Sequence, residues 1–173
     1  EFLDYARQRK AILYYDPNFR KAHAHEAIHS PRPLLENFEN ADIIRGSDED
    51  FLNIFGEADS EKVYTDNPFY CDRFITTHGA GGVNLYHGDL RFISLASIRP
   101  VSTIGAGDNF NAGILYGLLK NNVRHRDLAT LPKETWANII RCGIDLATEV
   151  AAATTITFLK NSQPPTSPSL KYH

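Results

Sequence analysis

The stretch STIGAGDNFNAGI, residues 102–114, places three glycines and one aspartate at the approach to an apolar helical run. Glycine is costly inside a helix, so Gly105 and Gly107 mark a tight turn, and a helix is expected from there to about Leu119. Backbone N–H groups in a Gly-Ala-Gly turn can converge on one spot, and a helix N-terminus adds positive partial charge there. Such a nest suits a phosphate that carries negative charge during transfer. Asp108 stands beside it, where a carboxylate could accept a proton from an attacking hydroxyl. The residue type alone equally allows Asp108 to be a simple helix cap. Beyond it, Phe110, Ile114, Leu115, Leu118 and Leu119 recur at helical spacing. Gly113 and Gly117, one turn apart, suit close approach to a second backbone.

Spacing excludes the commoner glycine-rich sites. No glycine is followed by Lys-Ser or Lys-Thr, so there is no P-loop. Gly105 and Gly107 begin a dinucleotide fingerprint, but its third position is Phe110. From Gly79 and Gly81 the third position is Asn84. The segment HGAGG (78–82) has the shape of an esterase oxyanion loop, yet no G-x-S-x-G supplies a nucleophile.

The chain of 173 residues is long enough for one domain with a real core. Its 18 basic and 21 acidic residues, net charge −3, argue against an electrostatic nucleic-acid binder. The apolar runs are too short to span a bilayer, and no stretch reads as a signal peptide. The two cysteines, Cys71 and Cys142, form no CxxC pair, which argues against a cysteine zinc site or a disulfide framework and fits a reducing, cytoplasmic setting. There is no methionine, hence no initiator, and the chain opens on EFLDYARQRK as though mid-helix. It reads as a fragment, a processed chain or an incomplete sequence.

Strands and helices alternate along the sequence. FLDYARQR (2–9) is predicted helical, and AILYYD (11–16) a short buried strand ending in Asp16, followed by a turn at DPNFR (16–20). Residues 21–40 are helical in part, with the prolines of SPRP (30–33) breaking the pattern. ADIIRG (41–46) is a strand. SDEDFLNIFG (47–56) is a capped helix with Ser47 as N-cap and Gly56 as the stop. RFITTHG (73–79) is a third strand, and GVNLYHGDLRFISLASI (82–98) a hairpin turning at HGD. A polar connection (120–132) leads to a long helix from Lys133 to about Ala153. The Pro/Ser-rich tail from 161 to 173 is expected to be disordered. The alternation predicts an α/β fold with a largely parallel sheet. In such sheets ligands bind beyond the carboxyl ends of the strands, which gathers Asp16–Asn18, Gly46–Ser47, Thr77–Gly82 and Ser102–Asp108 on one edge.

TIGAGDNFNAGILYGLL (103–119) resembles the C-terminal signature of the PfkB (ribokinase-like) carbohydrate kinases. Thr103, Gly105, Ala106, Gly107, Asp108, Phe110 and Gly113 all fall in place. DPNFR resembles the family's D-x-N-x-R segment. ADIIRGSDEDF (41–51) resembles its strand followed by N-x-x-E, here Ser47-Asp48-Glu49-Asp50. TTHGAGG (76–82) resembles its nucleotide-side T-x-G-x-x-G. The four segments stand in the family's order and cover about Asp16 to Ala153.

The resemblance implies a three-layer ribokinase-like α/β fold, represented by its C-terminal, nucleotide-side part over residues 1–160. It implies an ATP-dependent phosphotransferase acting on a hydroxyl of a small sugar, or a nucleoside kinase of the same family. Asp108 is then the general base, with Gly105, Ala106 and Gly107 as the anion hole. Thr77, Gly79, Gly82 and Ser47 are on the nucleotide side, and Asn18, Arg20 and Asp50 lie near phosphate and Mg²⁺, with no direct protein ligand to the metal assigned. ATP, Mg²⁺ and a monovalent cation are the implied cofactors. A small sugar is the implied partner, with a homo-oligomer as the expected assembly and neither nucleic acid nor membrane. The family's N-terminal half, with its sugar-binding residues and β-sheet lid, is not in this sequence. An incomplete unit that retains only nucleotide binding is therefore the second reading.

Other residues invite different chemistry. HAHEAIH (23–29) offers His23, His25, Glu26 and His29, which do not all share one helical face, so a solvated surface rather than a metal site is expected. His78 is either a nucleotide contact or a loop filler. Trp136 and Tyr116 are expected in the core or a groove.

Overall fold

The computed structural model describes residues 2–19, 31–67, 71, 73–88, 90–94 and 105–161. The elements are α1 (Phe2–Gln8), β1 (Tyr14–Tyr15), α2 (Pro31–Asn40), β2 (Ile43–Ser47), α3 (Asp48–Phe55) and α4 (Ser60–Asp66). They continue with β3 (Arg73–Thr77), β4 (Val83–His87), β5 (Leu90–Ser94), α5 (Ala106–Lys120) and α6 (Lys133–Asn161). Short 3-10 turns occupy Gly79–Gly81 and His125–Thr130.

The five strands lie in sequential order. β1, β2 and β3 are parallel, and β4 and β5 add an antiparallel hairpin to the β3 edge. The expected parallel sheet and the expected hairpin are thus two halves of one mixed sheet. Ser47 pairs in register with Thr77, Thr77 with Val83, and Val83 with Ser94. The ends of β2, β3 and β5 and the start of β4 therefore share one edge.

Alternation along the strands sends consecutive side chains to opposite faces. Ile43, Ile75, Val83 and Leu85 pack with Phe110, Ile114 and Leu118 of α5 and with Trp136, Ile139, Ile140 and Ile144 of α6. Ile44, Phe74 and Tyr86 pack on the other face with Phe38 of α2, Phe51 of α3 and Val63 of α4. Helices thus cover both faces in three layers. Trp136 is fully buried in the first cluster, whereas Tyr116 is exposed along a groove, its ring under the Lys120 ammonium.

α5 and α6 approach closely where Gly113 and Gly117 lie. A Cβ on Gly113 would stand 2.3 Å from the Cys142 carbonyl oxygen and 2.5 Å from Gly143 Cα. One on Gly117 would stand 2.9 Å from Ile139 Cα. The other apolar residues of α5 differ. Leu115 and Leu119 are 46% and 76% exposed and line a groove of about 630 Å³ with Ile12 and Val123.

Three local expectations change. The prolines at 31 and 33 do not break a helix: α2 begins at Pro31. The first turn of a helix needs no N–H partners, and proline's fixed φ suits it. α4 was not expected at all. Its N-cap Asp59 accepts from the Glu61 and Lys62 amides, but its seven residues bury only Ser60 and Val63, too short a stripe to read as amphipathic. α6 continues to Asn161 rather than stopping near Ala153. The β-branched run TTIT lowers helix propensity without ending the helix. The tail beyond 161, the HAHEAIH segment and Arg20 lie outside the described residues. Among the described residues no helix is long and apolar enough to cross a membrane.

Candidate active site

The turn that opens α5 is built by Gly105, whose φ of 77° lies in the left-handed region that favours glycine. Gly105 occupies the N-cap position and no side chain caps the helix. Its carbonyl accepts from the Asn109 amide at 3.0 Å and from Asn109 Nδ2 at 2.7 Å. Asn109 therefore makes the first intrahelical bond, and the N–H groups of Ala106, Gly107 and Asp108 precede it with no helical acceptor. Asp108 is the third residue of the helix, solvent-exposed, so the cap alternative is set aside by its position. Its carboxylate sits at the positive end of a 15-residue helix.

Arg45 lies behind this turn. It is 7% exposed, in the middle of β2. Nη1 donates to Asp16 Oδ2 at 2.8 Å, and Nη2 donates to Thr77 Oγ1 at 2.7 Å. A Cβ on Gly107 would fall 3.3 Å from Nη1 and 3.5 Å from Nη2, so the guanidinium rests against the bare Cα of that glycine. The Phe110 ring lies 5.5 Å from Arg45 Cζ. Asp16 also accepts from Asn111 Nδ2 at 2.6 Å, and Asn111 Oδ1 accepts from the Tyr14 hydroxyl at 2.8 Å. Burial pushes the Tyr14 phenol far above its ordinary value, opposed by the Arg45 charge and reinforced by Asp16. It remains a hydrogen-bond donor throughout the physiological range. One polar chain thus ties β1, β2 and β3 to the first two turns of α5.

A second tie joins the turn after β1 to α3. Ser47 is the N-cap of α3 in a capping box with Asp50. Asp50 Oδ2 accepts from the Ser47 amide at 2.7 Å and from Ser47 Oγ at 2.6 Å, and Oδ1 accepts from the Phe19 amide at 2.7 Å. The Asp50 carboxylate is buried and occupied by these internal bonds. Asn18, with φ of 40°, donates its amide to Asp16 Oδ1 at 3.0 Å, an Asx-type turn.

On the β3 side, Thr77 ends the strand and Gly79–Gly81 form the 3-10 turn. The His78 amide closes the loop on the Gly82 carbonyl at 2.9 Å. His78 Nδ1 lies 3.5 Å from Asp48 Oδ2, and its Nε2 lies 3.1 Å from Asn84 Nδ2. These contacts join the loop to the start of α3 and to β4.

Thr77, Asp16 and Gly107 are thereby brought together through Arg45, and Ser47, Asp50 and the Asn18 turn through the capping box. Among the described residues no group of three His, Cys, Asp or Glu is placed to hold a metal ion. Sequence reading missed Arg45, Asn111 and Tyr14. Arg45 stood inside an apolar strand as an unexplained charge, the one local signal available.

Residues 1–157 match the pfkB family carbohydrate kinase profile. The chain belongs to that family. Relatives within it include a fructokinase of Rhizobium leguminosarum bv. trifolii, 30% identical over 132 residues, which cover 73% of this chain and 40% of that protein. Among solved structures, the aminoimidazole riboside kinase of Salmonella enterica, complexed with aminoimidazole riboside and an ATP analog, superposes with a TM-score of 0.66 at 26% identity. It covers 91% of this chain and 56% of that one. The fructokinase of Vibrio cholerae O395, with fructose, ADP and calcium bound, gives 0.65 at 21% identity, over 88% and 47% of the two chains. The pfkB chain described here spans 30% to 47% of the length of the curated relatives it matches. Its α/β layers are those of the ribokinase-like fold.

Proposed function

We propose that this chain carries the phosphoryl-transfer centre of an ATP-dependent kinase acting on a hydroxyl of a small sugar, as its fructokinase and ribokinase relatives do by name. The observation that carries the reading is the first turn of α5. Three N–H groups without helical acceptors stand at the positive end of the helix, and the Asp108 carboxylate is exposed beside them. Asp108 takes the proton from the sugar hydroxyl as its oxygen attacks the γ-phosphorus of ATP. The bond from that phosphorus to the bridging oxygen breaks, and ADP leaves with the electron pair. The amides after Gly105 hold the oxygens of the transferring group, where charge stabilisation rather than covalent chemistry lowers the barrier. Thr77, Gly79, Gly82 and Ser47 line the nucleotide side. Asn18 is assigned to the phosphate side; Arg20 is assigned there by the family resemblance alone and lies outside the described residues. Asp50, with its oxygens occupied, supports this edge rather than ligating Mg²⁺, which enters with ATP.

A second feature bears on the chain taken alone. Leu115, Leu119 and Ile12 line an open groove, and β1 pairs with β2 alone among the described strands. Turnover therefore requires the part of the fold that the longer relatives carry, while this chain by itself retains nucleotide affinity. The test is ³¹P NMR of ATP incubated with fructose, ribose or adenosine. The protein expressed from its complete reading frame is expected to yield ADP and a phosphate ester, and the 173-residue chain none. Absence of any ester from the complete protein with all three acceptors contradicts the reading.

A further inference from the structure

We propose that Arg45 is the positioning residue of the phosphoryl cradle, fixing the first turn of α5 from behind. The inference rests on the reading of that turn given above. A buried guanidinium is costly to desolvate, and an apolar side chain could fill the same volume, so its placement calls for a reason beyond packing. Four observations supply one. The planar fork spans two strand ends, with Nη1 on Asp16 and Nη2 on Thr77. The same two nitrogens lie against Gly107, at 3.3 and 3.5 Å from where a Cβ would be, so a side chain there would press on Nη1. Among the described residues Nε, fully buried, finds no acceptor. Asp16 is held a second time by Asn111 of α5, so the turn and the cation share one anchor.

The consequence is both mechanical and electrostatic. The amides of Ala106, Gly107 and Asp108 have no helical acceptor, and the Gly107 backbone rests on a charge tied to Asp16 and Thr77. Negative charge on a transferring phosphoryl group then meets a turn backed by a guanidinium that its pairing with Asp16 already fixes, so no reorganisation is needed. Arg45 acts through the cradle and does not itself touch the nucleotide. Lysine cannot reproduce the arrangement, since a point charge cannot bridge Asp16 and Thr77 in one plane.

The test uses the protein from its complete reading frame, MgATP, and whichever of fructose, ribose and adenosine the wild type phosphorylates fastest. Arg45→Met is expected to lower kcat about 100-fold, the scale of losing one preorganised donor, with KM for ATP and acceptor within about threefold. Arg45→Lys is expected to restore kcat to about a tenth of wild type. Because Arg45→Met strands Asp16, Asp16→Asn/Arg45→Met is made in parallel. It removes both charges and is expected to fold yet remain about 100-fold slow. A kcat within threefold of wild type in the folded double variant overturns the proposal, as does a loss confined to KM or a lysine variant no faster than methionine. Asp108→Asn separates the two claims. If it is inactive while the Arg45 variants are not, the positioning role alone fails. If it is as active as wild type, the reading of the cradle fails first.

Discussion

Arg45 Nη1 and Asp16 Oδ2 meet at 2.8 Å with side chains 8% and 15% exposed, joining β2 to the turn after β1 directly behind the first turn of α5. Breaking a buried pair from one side costs more than removing both members, because the survivor keeps its desolvation penalty. Asp16→Ala is expected to destabilise the fold by about 3–5 kcal/mol, read from urea denaturation, and Asp16→Asn/Arg45→Met by markedly less. Equal losses would mean that the charges do not interact.

The α5–α6 contact makes a second prediction. At Gly113 an added methyl would collide with the backbone at Cys142 and Gly143, whereas at Gly117 it would press on Ile139 at 2.9 Å. Gly113→Ala is expected to lower stability by about 2–3 kcal/mol or more, since rigid backbone must move apart, and Gly117→Ala by less. A thermal melt ranks the two, and the reverse order would contradict the packing.

How far this was legible depended on whether the cause lay close in sequence. The GAGD turn, the Ser47 cap and the glycine pair of α5 are local patterns whose geometry follows from a few adjacent residues. Arg45 is different: it bonds Asp16, 29 residues upstream, and Thr77, 32 downstream. Asn111 reaches Asp16 across 95 residues. No periodicity encodes such a meeting. Only the sheet order creates it. Asp50, expected near phosphate, also accepts from the Phe19 and Ser47 amides, a role that appears only once the β1 turn folds against α3.

That clamp is itself testable. Ser47→Ala removes one cap and is expected to cost about 1 kcal/mol. Asp50→Ala also frees the Phe19 amide and is expected to cost more. Hydrogen exchange at Phe19 should accelerate in Asp50→Ala and change little in Ser47→Ala; equal protection in both would remove Asp50 as the link.

Alkaline pH brings in Cys71 first, with the buried Tyr14 phenol joining at higher pH. Burial, only partly offset by neighbouring Arg73, pushes its thiol from 9.0 up to about 11. The unfolded chain loses this proton first, so the stability contributed by the buried neutral thiol is intact below the unfolded value. It falls as pH rises toward about 11 and levels off beyond. The loss amounts to about 2–3 kcal/mol at roughly 1.4 kcal/mol per pH unit. Cys71→Ala is expected to flatten this part of the urea midpoint against pH, and an unchanged slope would contradict the assignment.

The most direct measurement is kcat and KM for Asp108→Asn in the protein from its complete reading frame. The variant keeps the shape of the side chain and the free amides of the turn but cannot accept the proton. A loss of about 10³-fold in kcat, within the range for general-base removal, with KM for ATP nearly unchanged, is the expected result. Undiminished phosphorylation by Asp108→Asn would contradict the proposed centre.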